Sequence, residues 1–191
     1  MFVFLDFEAS SLAKDSYPIE VGWVFEDGRS GGMLIRPAPE WSDWDMRAQA
    51  VHQIDRATLL RDGTPHGAVA AHLVEMMEGH ALFASAPSWD GKWLSVLLRT
   101  AGLPRHSLRL RDTDLACRET AGAILGPVLP ADALEAEIDA ILKAVDEART
   151  TVPPAHRALA DAEGERDRWL QVRDEAQKRI HSLSPEGRVR S

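Results

Sequence analysis

Phe2-Val3-Phe4-Leu5-Asp6-Phe7-Glu8 opens the chain as an apolar strand interrupted by two acids, two positions apart. Side chains alternate along an extended segment, so Asp6 and Glu8 point to the same face. Two carboxylates aimed at one point repel, and burying them is costly unless a cation stands between them. The pair predicts a site for a hard divalent metal. Further along, Trp89-Asp90 and His156-Arg157-Ala158-Leu159-Ala160-Asp161 add two more carboxylates and an imidazole.

At 191 residues, with 45% hydrophobic and 27% charged content, the chain is long enough for one domain with a substantial core. The reading is a single domain over 1–181, with the polar residues 182–191 as a frayed tail. The first apolar run ends at Asp6, too soon for a signal peptide or a membrane span, and no later stretch approaches about 18 apolar residues. A cytoplasmic protein with no membrane partner is expected. Cys117 is the sole cysteine, which excludes an intrachain disulfide and a thiolate zinc site. The net charge of −8 argues against holding nucleic acid by a global positive field, but leaves room for a local basic groove. Arg99 to Arg118 is one locally basic run, with five arginines and His106 against Asp112 and Asp114, and the tail from Arg173 is another. Taken alone, each reads as a solvated face.

Residues 2–7, 19–25 and 32–36 read as three strands with tight links, the last reached through Asp27-Gly28, which suggests an antiparallel meander. A loop holding Pro37, Pro39, Trp41 and Trp44 follows. Thr64-Pro65 reads as an N-cap with proline at the first helical position, opening a helix that closes near Gly79. Residues 81–85 form a buried strand, about 91–101 a helix stopped by Gly102, and 107–112 a further strand. Leu134, Ile138, Ile141, Leu142 and Val145 make one apolar stripe on a helix at 132–149. A break at Thr151-Val152-Pro153-Pro154 precedes a long final helix reaching about Ile180. This order predicts an α/β domain with a mixed sheet.

Asp6-Phe7-Glu8, Asp90 after an apolar and aromatic run, and His156 five residues before Asp161 resemble the three motifs of the DEDDh 3′–5′ exonucleases. These belong to the ribonuclease T and polymerase-proofreading superfamily, with a ribonuclease H-like fold. Val51-His52-Gln53-Ile54 and Asp112-Thr113 resemble further features of that group, and the match covers about residues 2–170. The resemblance implies a central five-stranded mixed sheet whose first three strands form the meander, flanked by helices, with an extra helix at about 132–149 and a long C-terminal helix. It implies that Asp6, Glu8, Asp90 and Asp161 hold two divalent cations, Mg2+ or Mn2+, about 3.5–4 Å apart around the scissile phosphate. His156 takes the proton from the attacking water, a task suited to an imidazole titrating near neutrality. The implied partner is the 3′ end of single-stranded or short DNA or RNA, and the product a nucleoside 5′-monophosphate. Some relatives pair as dimers, so a homodimer involving the long C-terminal helix is a candidate assembly.

Leu12 matches the position that wedges near the terminal base in such enzymes, with Ser11 beside it and His52 near the expected cleft. Trp41 and Trp44, in a loop, are candidates for base stacking, whereas Trp89 and Trp93, four apart, are assigned to packing. Two departures bear on substrate class: Ala9-Ser10-Ser11-Leu12 stands where relatives often carry Thr-Thr-Gly-Leu, and Ala86-Pro87-Ser88 stands where many carry His-Asn before the second-motif aspartate. The alternatives are a weakly catalytic binding or scaffold module on the same fold, and a phosphodiesterase confined to very short oligonucleotides.

Overall fold

The computed structural model describes residues 1–149 and 155–183. Strands β1 (Phe2–Ala9), β2 (Pro18–Phe25) and β3 (Ser30–Arg36) pair antiparallel in sequence order, giving the expected meander. Gly28, at φ 95°, turns β2 into β3, and the Asp27 side chain accepts the Arg29 N–H at 3.0 Å. Strands β5 (Ala81–Ala84) and β6 (Leu110–Asp112) continue the sheet in parallel beyond β1. A two-residue strand β4 (Thr64–Pro65) lies beside β3, so the full order is β4-β3-β2-β1-β5-β6.

Local expectations are corrected in three places. Thr64-Pro65 does not open a helix but pairs with Ile35 and Arg36 at the sheet edge, where a proline lacking its N–H is tolerated. Helix α3 (His66–Met77) starts immediately after. The segment read as a loop carries two short helices, α1 (Met46–His52) and α2 (Arg56–Asp62). Their caps were available to reading: Asp45 accepts the Arg47 N–H at 2.8 Å and Asp55 the Thr58 N–H at 2.7 Å. At seven residues apiece, neither helix is long enough to display a period. Helix α4 (Pro87–Thr100) starts earlier than expected, with Pro87 in its first positions, and this places Asp90 inside the first turn.

Alternation along β1 and β2 separates core from site. Val3, Leu5 and Phe7 pack with Ile19, Val21 and Trp23, and with residues such as Leu73 of α3 and Leu97 of α4, in one buried cluster. On the opposite face, Asp6 is in register with Gly22 and Glu8 with Glu20. These strands, β4 to β6, α1 to α4 and the start of helix α7 (Ala158–Leu183) as far as Glu165 belong to one compact unit.

A second compact unit holds helix α5 (Thr113–Leu125), helix α6 (Ala131–Arg149) and α7 from Arg166 onward. Ile138, Ile141, Leu142 and Val145 of the expected α6 stripe are buried. Arg168, nearly enclosed, bridges Asp114 and Asp146, each at 2.7 Å, and Trp169 Nε1 donates to Thr120 Oγ1 at 2.7 Å. The expected break at Thr151 to Pro154 and the tail beyond Leu183 lie outside the described residues. No described helix is long and apolar enough to cross a membrane.

Candidate active site

Three of the five predicted site residues come from the sheet and α4. Asp6 and Glu8 project from β1, and Asp90 sits on the first turn of α4 with 2% of its surface exposed. Burial pushes the Asp6 carboxyl up to about 9, with Asp90, Glu8, Asp161 and Glu165 adding repulsion in that order. Burial likewise raises Glu8 to about 7, reinforced by Asp161 and Glu20 and opposed by Arg157. Asp90 is raised to about 7 by burial, against hydrogen bonding from the backbone, foremost that of Phe7. Its Oδ2 is buried without a hydrogen-bond partner among the described residues. A cluster of carboxylates held at this cost, one oxygen of it unpaired, fits a hard divalent cation that prefers several oxygen ligands.

The other two come from the start of α7 and the residues just before it. His156 has a left-handed backbone, φ 52°, a conformation uncommon outside glycine that needs outside support. Asp161, one turn into the helix, provides it: its carboxylate accepts the N–H of Ala155 at 3.0 Å and of Arg157 at 3.2 Å, the two neighbours of His156. Ligand atoms of Glu8, His156 and Asp161 all lie within 4.8 Å of one another. His156 and Asp161 therefore meet Glu8 of β1, while Asp6 and Asp90, outside that cluster of ligand atoms, stand near enough for Asp90 to raise the Asp6 carboxyl.

Strand β2 fixes the loop in place. Glu20 is 7% exposed; its carboxylate accepts Arg157 Nη2 at 2.6 Å and Nε at 3.1 Å, and the Ala158 N–H at 3.1 Å. At Gly22, opposite Asp6, a Cβ would stand 2.2 Å from the Ala158 carbonyl carbon and the Leu159 nitrogen. Only glycine lets the helix start approach the strand this closely.

A cleft of about 510 Å³ opens beside Glu8 and His156, with Ser11, Leu12, Arg47, Val51 and His52 among its walls. Leu12, in that wall, is 70% exposed. The Ser11 and Ser10 hydroxyls both donate to Asp43 Oδ2, at 2.6 and 2.7 Å, and so pin the loop after β1. Ser11 thus contributes its place in the wall rather than a free hydroxyl. His52 is buried, its Nδ1 accepts the Ile54 N–H at 3.1 Å, and its Nε2 has no partner among the described residues. Burial lowers its pKa.

The tryptophans sort differently from expectation. Trp41 is 7% exposed and stacked on Tyr17 at 5.0 Å, with its carbonyl accepting Arg56, so it is a core residue and not a stacking surface for a base. Trp44 packs against the same core, with Nε1 donating to Gln49 at 2.8 Å and its ring edge-on to His52, and it does not line the cleft. Trp93 is packed, with Nε1 donating to Ser16 at 3.0 Å, but Trp89 stays 38% exposed.

Glu20, Gly22 and Asp43 were missed by the sequence reading. Two of them left a signal: Pro18-Ile19-Glu20-Val21-Gly22-Trp23-Val24-Phe25 is buried at every position, and an acid and a glycine are out of place in such a strand.

The sequence matches no protein-family model and no curated protein. Among solved structures, the chain is similar to Escherichia coli exonuclease I in complex with a dT13 oligonucleotide, at 16% identity and a TM-score of 0.63 over 95% of this chain and 42% of that one. A moderately thermophilic exonuclease I from Methylocaldum szegediense gives 15% identity and a TM-score of 0.65, again over 95% of this chain and 42% of the other. The chain thus spans about two fifths of the length of these proteins. The antiparallel meander, the parallel strands beyond it and the flanking helices give this chain the fold seen in these exonuclease I structures.

Proposed function

We propose that the chain is a metal-dependent 3′–5′ exonuclease acting on the 3′ end of single-stranded or short nucleic acid. The observation that carries this reading is the meeting of Glu8, His156 and Asp161, whose ligand atoms lie within 4.8 Å of one another, with Asp6 and Asp90 close enough to Glu8 for their carboxyls to repel. Such an arrangement is costly until divalent cations neutralise it. Asp6, Glu8, Asp90 and Asp161 would hold two ions, Mg2+ or Mn2+, which supply charge stabilisation at the scissile phosphate and favour water as a nucleophile near neutral pH.

The remaining chemistry belongs to the chain. His156 accepts the proton of the attacking water at an imidazole nitrogen, close to Glu8 and Asp161. Asp161 and Glu20 hold the backbone on either side of that imidazole, so its approach needs little reorganisation. Leu12 and Val51 offer the terminal base an apolar wall, and Arg47 offers a phosphate a cation. Attack in line with the 3′ leaving oxygen releases a nucleoside 5′-monophosphate. Support comes also from the fold's solved examples, in which E. coli exonuclease I is seen with dT13 and dA16 oligonucleotides and in a zinc-bound form.

The test is digestion of 5′-labelled DNA and RNA oligonucleotides of falling length, with Mg2+ or Mn2+ and with chelator. Stepwise 3′ shortening by the wild type, none by Asp6→Ala and strong slowing by His156→Ala are expected. Full metal-dependent activity in Asp6→Ala would remove the proposed site. Turnover confined to di- and trinucleotides would instead make the protein a small-substrate phosphodiesterase.

A further inference from the structure

A second depression, about 390 Å³, opens on the flank of α4. Lys92 and Ser95 stand on one side, and Arg105, His106 and Arg109 on the other. None of its lining residues is acidic, in a chain that carries 30 acids against 22 bases. Among the described residues, none of the ion pairs engages its cations. The Lys92 ammonium meets only neutral oxygens, Ala13 O at 2.6 Å and Ser16 Oγ at 2.8 Å, and Arg105 Nε meets the His106 ring at 2.8 Å. Elsewhere on this surface arginines are routinely paired, as Arg29 is with Asp27 and Arg61 with Asp62. Unpaired cations gathered in one groove repel one another, and an anion relieves that repulsion.

The groove and the cleft meet at α4, where Lys92 lines the groove and the adjacent Trp93 lines the cleft. Lys92 reaches the loop immediately after Leu12, which walls the cleft. Trp89, 38% exposed, has the Lys92 ammonium 5.1 Å from its ring centroid and the ring of Trp93, which lines the cleft, 5.7 Å away. An exposed aromatic ring beside a line of cations is the surface that single strands favour, stacking a base while the backbone follows the charge.

We propose that this groove holds the phosphodiester backbone of single-stranded nucleic acid, 5′ to the nucleotide in the cleft, with Arg105 and Arg109 as its phosphate contacts and Trp89 as a stacking platform. The inference rests on the nuclease reading for the direction of the strand, but binding can be measured without turnover. The experiment is fluorescence anisotropy of the full chain in EDTA with labelled oligothymidylates of about twelve and about three nucleotides, from about 50 to 200 mM salt.

Arg105→Glu/Arg109→Glu is expected to weaken binding of the longer strand at least tenfold, to reduce its salt slope by about 1.4, at about 0.7 per lost phosphate contact, and to leave the shorter one within about twofold. Trp89→Ala should weaken the longer strand without changing the slope. Arg29→Glu/Arg61→Glu, with the same change in net charge on arginines outside the groove, should leave binding unchanged. Equal losses in the two double variants, no loss in the first, or no binding by the wild type would overturn the proposal. So would a polyglutamate peptide that binds at the groove arginines while the oligonucleotide does not, since the occupant would then be an acidic protein. Failure of hydrolysis with groove-dependent binding intact would sink the nuclease reading and leave this one standing.

Discussion

Arg157 lays its guanidinium across the carboxylate of Glu20, Nη2 2.6 Å from Oε1, so the residue next to His156 is tied to the strand beside β1. The arginine side chain is 55% exposed and the glutamate 9%, so the buried carboxylate depends on this partner while water screens the guanidinium. The pair's value is positional: with the Ala158 N–H on Oε2, Glu20 fixes where α7 begins.

Glu20→Ala leaves the buried Ala158 N–H without its acceptor, and a stability loss of about 1–3 kcal/mol is expected. Glu20→Gln retains an acceptor and should recover most of that loss. For oligonucleotide hydrolysis, both variants should lower kcat more than they raise KM, because the imidazole is displaced while the cleft is unchanged. Chemical denaturation and steady-state kinetics on the same preparations check the two effects. A change in KM alone would mean that Glu20 serves the cleft instead.

Gly22→Ala should be more damaging than its size suggests. The new methyl meets backbone at 2.2 Å, so either β2 or the α7 start must move. A loss of about 1–3 kcal/mol is expected, with at least a tenfold fall in kcat. Gly32→Ala, where the nearest atom is 3.3 Å away, is the control and should cost less on both counts.

The acidic cluster predicts how stability depends on pH in the metal-free protein. A carboxyl whose folded pKa exceeds its unfolded value, about 4, binds more protons when folded, so stability falls as pH rises between the two values. With Glu8 and Asp90 at about 7 and Asp6 at about 9, the decline should be steepest from about pH 4.5 to 7 and continue to about 9 on Asp6 alone. Each group contributes at most about 1.4 kcal/mol per pH unit. Asp6→Asn should flatten the upper part of the curve, and millimolar Mg2+ should raise Tm more at pH 8 than at pH 5. Thermal melts across that range, with and without metal, decide it; a Tm that climbs from pH 5 to 8 without metal would contradict the clustering.

Trp41 and Leu12 should separate cleanly in experiment. Trp41→Ala removes a ring stacked on Tyr17 in the core and should cost about 3–5 kcal/mol of stability. Leu12→Ala, at a position 70% exposed, should leave Tm nearly unchanged and raise KM for oligonucleotides severalfold. A selective effect of Trp41→Ala on KM would restore it as a substrate contact.

Much of this was legible because each chemical residue announced itself locally. Asp6 and Glu8 break an apolar strand, and the structure places them on one face, as a period of two requires. His156 and Asp161 share a short segment, and the carboxylate reaches back to the neighbours of the imidazole. Less legible was what depends on distant contacts. Trp41 sits among prolines, and nothing nearby reveals that Tyr17, far off in sequence, is its stacking partner. The match of Gly22 to Ala158 is a distance between elements, and the sequence records only a glycine in a strand. Helices α1 and α2 were hidden by shortness, since their periods end before a pattern forms.

Strand β1 carries hydrophobic core and chemistry on alternate residues, and this ties the two together by parity. Deleting or inserting one residue between Phe2 and Asp6 would rotate Asp6 and Glu8 into the Val21 and Leu97 side of the sheet and turn Leu5 and Phe7 outward. Such a lesion abolishes folding and activity together, whereas substitutions can remove either alone. A substitution in this stretch is felt on one face of the sheet, and a change in its length on both.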